Sequence, residues 1–233
     1  YKGYNKIAVI FAAGEIHSGK SGNKPIFGTD ILGSGTLVRQ LKAVRRNSSI
    51  KAVVLRIDSP GGEAVASEVI RREAELLAKK KPLVISMSDL AASGGYWIAM
   101  TSSNVIALPQ TITGSIGVVM GKFVLKDLYK NIGVNKEYLK TTKYADIFSD
   151  YRVFSDEEKV KVKKMMKKKY QTFLEIVAKN RKMAIGDVEK IAQGRIWAGS
   201  KAIKKKLVDG IGGINDAIAL AKKLANIPAH KSV

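Results

Sequence analysis

The chain has 233 residues, 45% apolar and 26% charged, a balance that excludes a peptide hormone, a linker or a disordered tail and suits one substantial domain with or without a helical extension. It has no cysteine and only two histidines, His17 and His230, which excludes disulfides, thiolate zinc sites and cysteine nucleophiles and leaves little material for a histidine-based triad. Lysine and arginine total 41 against 20 acids, a net charge of +21; the charges are spread along the chain without a nucleic-acid-binding motif, so they read as lysine-rich solvation, and no nucleic-acid partner is expected.

No apolar run approaches the ~18 residues of a membrane span, and no signal peptide is evident. A start at Tyr1 rather than Met is read as a fragment or processed product.

In chain order, the β-branched run Lys6–Phe11 predicts a buried strand, followed by loop over residues 17–35. Thr36 is placed to cap a helix carrying Leu37, Leu41 and Val44 at helical spacing and ending near Asn47. A second strand, Lys51–Ile57, runs into Asp58-Ser-Pro-Gly-Gly62; a helix from Glu63 to about Lys79 and a third strand, Pro82–Met87, follow. This alternation of strand and helix predicts a parallel sheet with right-handed helical crossovers, hence an α/β class. A helix beginning at or near Ser93 and strands at Asn104–Leu108 and Ile116–Met120 come next. Ser155-Asp-Glu-Glu158 matches a capping box and opens a long helix to about residue 180, with Val162, Met166, Tyr170, Phe173 and Val177 at helical spacing and seven lysines between Lys159 and Lys169. That charge run is read as a solvated face that could also meet acidic lipid heads or a neighbouring subunit. The C-terminal third reads as helical throughout, with helices near 184–193, 199–206 and 214–226.

Pro60-Gly-Gly62 lies between a strand and a helix, where glycines can turn the backbone so that amide hydrogens face an incoming oxygen. Ser93 is flanked by Ala92, Gly94 and Gly95, which leaves its hydroxyl open to a substrate carbonyl at a helix start; the plain alternative is a helix cap. Strands ending near 57 and 87 in one parallel sheet would bring both turns to the same edge and make nucleophile and amide donors converge. Gly33-Ser-Gly35 lacks the lysine of a phosphate loop and receives no role.

Asp58-Ser-Pro-Gly-Gly62, Ala91-Ala-Ser-Gly-Gly-Tyr96, Thr113-Gly-Ser-Ile-Gly117 and Gly194-Arg-Ile-Trp followed by Leu207-Val-Asp-Gly-Ile-Gly-Gly213 together resemble the signal peptide peptidase A family, from about Lys6 to Leu224. The resemblance implies a Clp-protease/crotonase-like α/β fold and a serine peptidase with a Ser-Lys dyad. Ser93 then matches the nucleophile, Gly62 the oxyanion-hole glycine with Gly94 as second donor, and Ser115 the serine that orients the base lysine. It implies no metal and no organic cofactor. The division it suggests is 1–150 as the peptidase core carrying nucleophile and oxyanion hole, and 151–233 as the helical C-terminal part of the same catalytic unit, engaged in subunit contacts.

The lysine slot of the family falls at Ala145, in Tyr144-Ala-Asp-Ile-Phe-Ser149. A methyl group takes no proton, so the chain is expected to be an inactivated form of an otherwise competent enzyme. Lys143 is the alternative base: in an extended segment it points to the same side as Ala145 but starts about 6.5 Å away. The resemblance further implies short, largely apolar substrates such as released signal peptides, a ring-like homo-oligomer, and an extracytoplasmic catalytic domain held at the cell membrane by an anchor upstream of this chain. Two rivals are an acyl-coenzyme A enzyme of the crotonase type and a pseudo-enzyme that retains peptides.

Overall fold

The computed structural model describes residues 5–23 and 30–228; His230 lies outside them. The described chain forms two compact units. The first joins residues up to Gly117 with those from Phe173 onward; the second is Val118–Thr172.

The first unit opens with β1 (Lys6–Ala13), β2 (Glu15–His17), β3 (Gly22–Asn23) and β4 (Asp30–Gly33), then α1 (Ser34–Arg46), β5 (Ile50–Ser59), α2 (Ala64–Ala78), β6 (Leu83–Ala92), α3 (Gly94–Ala99), β7 (Val105–Ala107) and β8 (Ile112–Gly114). The second unit holds α4 (Lys126–Asn131) and the start of α5 (Asp156–Arg181). The first then resumes with α6 (Ile185–Ile191), β9 (Ile196–Ala198), α7 (Gly199–Ala202), β10 (Gly210–Ile211) and α8 (Ile214–Leu224).

The main sheet runs β1-β5-β6-β7-β10, all parallel, with β8 continuing parallel to β6 and β9 antiparallel to β8. Central strands of such a sheet are covered on both faces and read as unbroken apolar runs. Val53, Val54, Leu55 and Ile57 of β5 and Val84, Ile85 and Met87 of β6 are fully buried. On one face Ala52, Val54, Val84 and Ile106 pack against Ala217 and Ala221 of α8. The alternate residues face the other way, the side on which α1 packs against α2 and α2 against α3. This is the mixed α/β, mostly parallel architecture expected from the alternation of elements.

Several local expectations are corrected. Residues 17–35 are not loop throughout: β2, β4 and β3 form a small separate sheet, invisible to pattern reading because its strands are two to four residues long and carry no apolar alternation. Helix α1 begins at Ser34 with Gly33 as its extended cap; Thr36 Oγ1 instead accepts the Ser21 N–H at 2.9 Å. The strand expected at Ile116–Met120 is β8, earlier in the chain, because Gly114 (φ 82°) and Ser115 (φ 47°) break the extended run. The C-terminal third also contains strands: β9 and β10 both join the main sheet. The capping box of α5 is realised in full, Ser155 N–H donating to the Glu158 carboxylate at 2.8 Å and Glu158 N–H to Ser155 Oγ at 3.3 Å.

Candidate active site

The site grows out of the carboxyl ends of β5 and β6, which remain side by side to the pairing of Ser59 with Ala91. Beyond Ala92 the chain turns into α3 through Ser93, at φ 51° and ψ −116°. An L-residue in this conformation carries about 1–3 kcal/mol of strain, which persists only where the surroundings enforce it. Enforcement is visible on both sides: Ser93 N–H donates to Gly114 O of β8 at 3.0 Å, and Ser93 O accepts Trp97 N–H at 2.8 Å. The Ser93 hydroxyl makes no capping hydrogen bond. Helix capping, the plain reading of this serine, is therefore not what its side chain does.

The Pro60-Gly-Gly62 turn closes on Ser93. A Cβ on Gly61 (φ 101°) would lie 2.8 Å from Ser93 Cβ and 2.6 Å from the Gly94 nitrogen, so only a glycine lets the two turns touch. Gly62 (φ 151°) is pinned from behind by β2: Ile16 N–H donates to Gly61 O at 2.8 Å, and Glu63 N–H donates to Ile16 O at 2.9 Å. In this parallel bridge between Ile16 and Gly62 the flanking residues make the bonds, and the Gly62 N–H is not used. Gly94 opens α3, where helical geometry leaves the first N–H groups without intrahelical acceptors. Two such amides beside a serine are the donors an oxyanion hole requires.

Sequence reasoning passed over residues that brace this arrangement. The fully buried Ser59 donates its hydroxyl to Gly14 O at 2.6 Å and accepts Gly61 N–H at 3.2 Å. Glu63, next after Gly62, accepts the Ser18 N–H at 2.9 Å and the Ser18 hydroxyl at 2.5 Å, and its carboxylate lies 3.3 Å from His17 Nδ1. These bonds, Ser18 foremost and His17 after, hold the Glu63 carboxyl below its ordinary range. The signal was the Asp-Ser-Pro-Gly-Gly run itself: a hydroxyl two residues before a glycine turn can satisfy the turn's amide.

Ser115 adjoins the Gly114 carbonyl that holds Ser93, and its own N–H donates to Arg195 O at 2.8 Å. Ser93, Gly62, Gly94 and Ser115 thus belong to one end of one sheet. Ala145 lies in the second unit, exposed, in a turn where its N–H reaches Thr142 O at 3.3 Å. The segment around it is a run of turns, not the extended chain on which the alternative base depended. Lys143 is exposed and ion-paired with Glu157, and that hydrogen-bonded pairing raises its pKa. Lys140 is likewise occupied, paired with Asp146 at 3.1 Å.

Comparison with known proteins agrees with this geometry. Residues 75–228 match the description Peptidase family S49. The chain is 43% identical over 99% of its length to the chloroplastic serine protease SPPA of Arabidopsis thaliana. It is 40% and 39% identical over 95% of its length to proteins named Protease 4 in Haemophilus influenzae and Salmonella typhi. It spans 34–35% of the length of these three relatives. With a serine held out of any cap at the end of a parallel strand, glycine turns against it and a family match covering well over half of its length, the chain belongs to peptidase family S49.

Proposed function

We propose that this chain is the nucleophile-bearing part of a serine peptidase acting on short, largely apolar peptides such as released signal peptides. The observation that carries the reading is Ser93, held in a strained backbone conformation with its hydroxyl outside any cap and the Gly61–Gly62 turn against it. Ser93 Oγ attacks the scissile carbonyl; the amides of Gly62 and Gly94 take up the negative charge on the carbonyl oxygen; a neutral lysine removes the hydroxyl proton and returns it to the leaving amine. Ser115 orients that lysine. Ala145 stands in the lysine's position, so the chain as given binds peptide and hardly cleaves it.

The enzyme works as a ring-like homo-oligomer with no cofactor, and its catalytic part lies outside the cytoplasm at the membrane. Among the described residues no helix is long and apolar enough to cross a membrane.

The test is kcat/KM on one fluorogenic apolar peptide for three proteins: the chain as given, Ala145→Lys, and Ala145→Lys with Ser93→Ala. A positioned base is worth about 10²- to 10⁴-fold; that gain should appear in the second protein and vanish in the third. In Ala145→Lys the rate should rise with pH as the lysine loses its proton. Equal activity of the first two proteins overturns the assignment of position 145. Turnover of an acyl thioester in preference to a peptide ester would favour the crotonase-type reading instead.

A further inference from the structure

We propose that the outer face of α5 between Lys159 and Lys169 is a docking surface for an anionic lipid bilayer. The helix carries seven lysines in that stretch and no acid between Glu158 and Glu175. Lys163, Lys164 and Lys167 follow Val160 by three, four and seven residues and therefore share its face, with Lys161 and Lys168 on its flank. All six are exposed, whereas Val162 is buried and Met166 and Tyr170 are half-buried. Lys159 is paired with Asp156 at 2.8 Å, and Lys161 lies 3.9 Å from the centre of the Tyr144 ring. The side chains of Lys163, Lys164, Lys167 and Lys168 have no ion pair, hydrogen bond or ring contact among the described residues.

Folding gives no reason for this composition. Lys163 with Lys167 and Lys164 with Lys168 are like charges at i,i+4, which destabilise a helix where a Glu-Lys pair would stabilise it. The repulsion is relieved when the face meets a dense sheet of negative charge. Val160, 69% exposed at the N-terminal end of the strip, and Met165, 37% exposed at its margin, suit the same occupant: lysine stems lie along the interface with their ammonium heads at the lipid phosphates, while the apolar side chains enter between headgroups. A nucleic acid fits less well. The strip has neither arginine for bidentate phosphate contacts nor exposed side chains that read bases. The contact is peripheral and additional to any anchor, and it does not depend on the peptidase reading.

The experiment measures partition of the chain as given onto vesicles of phosphatidylcholine alone and of phosphatidylcholine mixed equally with phosphatidylglycerol, in low and high salt. Binding should require phosphatidylglycerol and fall steeply with salt. At about fivefold per lysine, Lys163→Glu, Lys164→Glu, Lys167→Glu and Lys168→Glu together should lower the partition coefficient at least ~100-fold. A control with the same charge change, reversing the exposed Lys42, Lys80, Lys201 and Lys204, should lose much less. Circular dichroism confirms that both variants fold. Equal losses in the two variants would overturn the proposal in favour of diffuse attraction by the +21 charge. Binding to phosphatidylcholine alone, tighter salt-dependent binding of the same strip to duplex DNA, or a change in sedimentation of the lipid-free strip variant would each overturn it as well. None of these readouts involves peptide cleavage, so failure here leaves the proposed activity standing.

Discussion

The two compact units are held together by different physics. In the first, the decisive contacts are made by backbone amides, hydroxyls and close-packed apolar side chains: Ser59 between Gly14 and Gly61, Thr113 Oγ1 on Ala91 O at 2.8 Å, Leu55 and Ile85 fully buried. In the second, charged side chains do much of the work. Arg152 bridges Asp146 at 3.1 Å and Glu158 at 2.7 Å, and Lys136 meets Asp150 at 2.7 Å. Apolar residues there face outward, Phe123, Ile132, Leu139 and Val153 among them. The first unit should therefore be sensitive above all to volume and backbone geometry and less to salt. The second should respond to pH and ionic strength and tolerate truncation of its outward apolar side chains.

The largest expected effect lies in the central strand. Leu55→Ala should cost about 2–5 kcal/mol in chemical denaturation, the range for an emptied core site, whereas Leu139→Ala in the second unit should stay within about 0.5 kcal/mol. Comparable losses would erase the contrast. Next comes Gly62→Ala. Its Cβ would lie 2.1 Å from Ile16 O, so the turn must move, and kcat of the Ala145→Lys enzyme should fall about 10²- to 10³-fold, as for loss of an oxyanion donor. Ser59→Ala should then cost about 1–3 kcal/mol, since it leaves the buried partners of one hydroxyl unpaired.

The smallest effect is a pH response strongest in the second unit. The Arg152 guanidinium, and after it the Ser155 N–H, hold the Glu158 carboxyl down to about 2, against an ordinary 4.5. Lys136, and after it the Tyr129 hydroxyl, hold Asp150 at about 2, against 3.8. Both groups bind a proton less readily folded than unfolded. Their stabilisation is complete above about pH 4.5 and is lost as pH falls toward 2. NMR signals of Tyr129, Tyr138 and Tyr151 should shift across that window while methyl signals of Val54 and Ile85 hold; the reverse order would show that the ion pairs do not govern the second unit.

The sequence disclosed most where one physical rule acts alone. Continuous apolar runs announced β5 and β6, and Ser155 with Glu158 announced the start of α5. Ser93 and Gly62 stood out through several motifs read together, since either glycine turn alone has a plainer explanation; the structure brings the two turns into contact. What stayed hidden depends on partners remote in sequence. The small sheet of β2, β3 and β4 forms by pairing rather than by propensity. Ser59 is informative only once Gly14, 45 residues earlier, is known to be its acceptor. Lys143, the alternative base, depends on an extended segment; the turn around Ala145 and the Glu157 ion pair rest on contacts that spacing alone does not show.

On the proposed reading, the hydrogen bond from Ser93 N–H to Gly114 O removes the nucleophile's own amide from the set of groups that can receive substrate charge. The two amides proposed as donors sit on glycines, and a third glycine supplies the carbonyl that ties the serine down. A library randomised over residues 58–62, 91–95 and 113–115 and selected only for a folded product should therefore return glycine at 61, 62 and 114 before any pressure for cleavage is applied, since each holds a backbone angle that side-chain-bearing residues resist. Sequence variation in this region would then report on what the backbone permits, and the fingerprint of the site would persist in descendants that no longer cut anything.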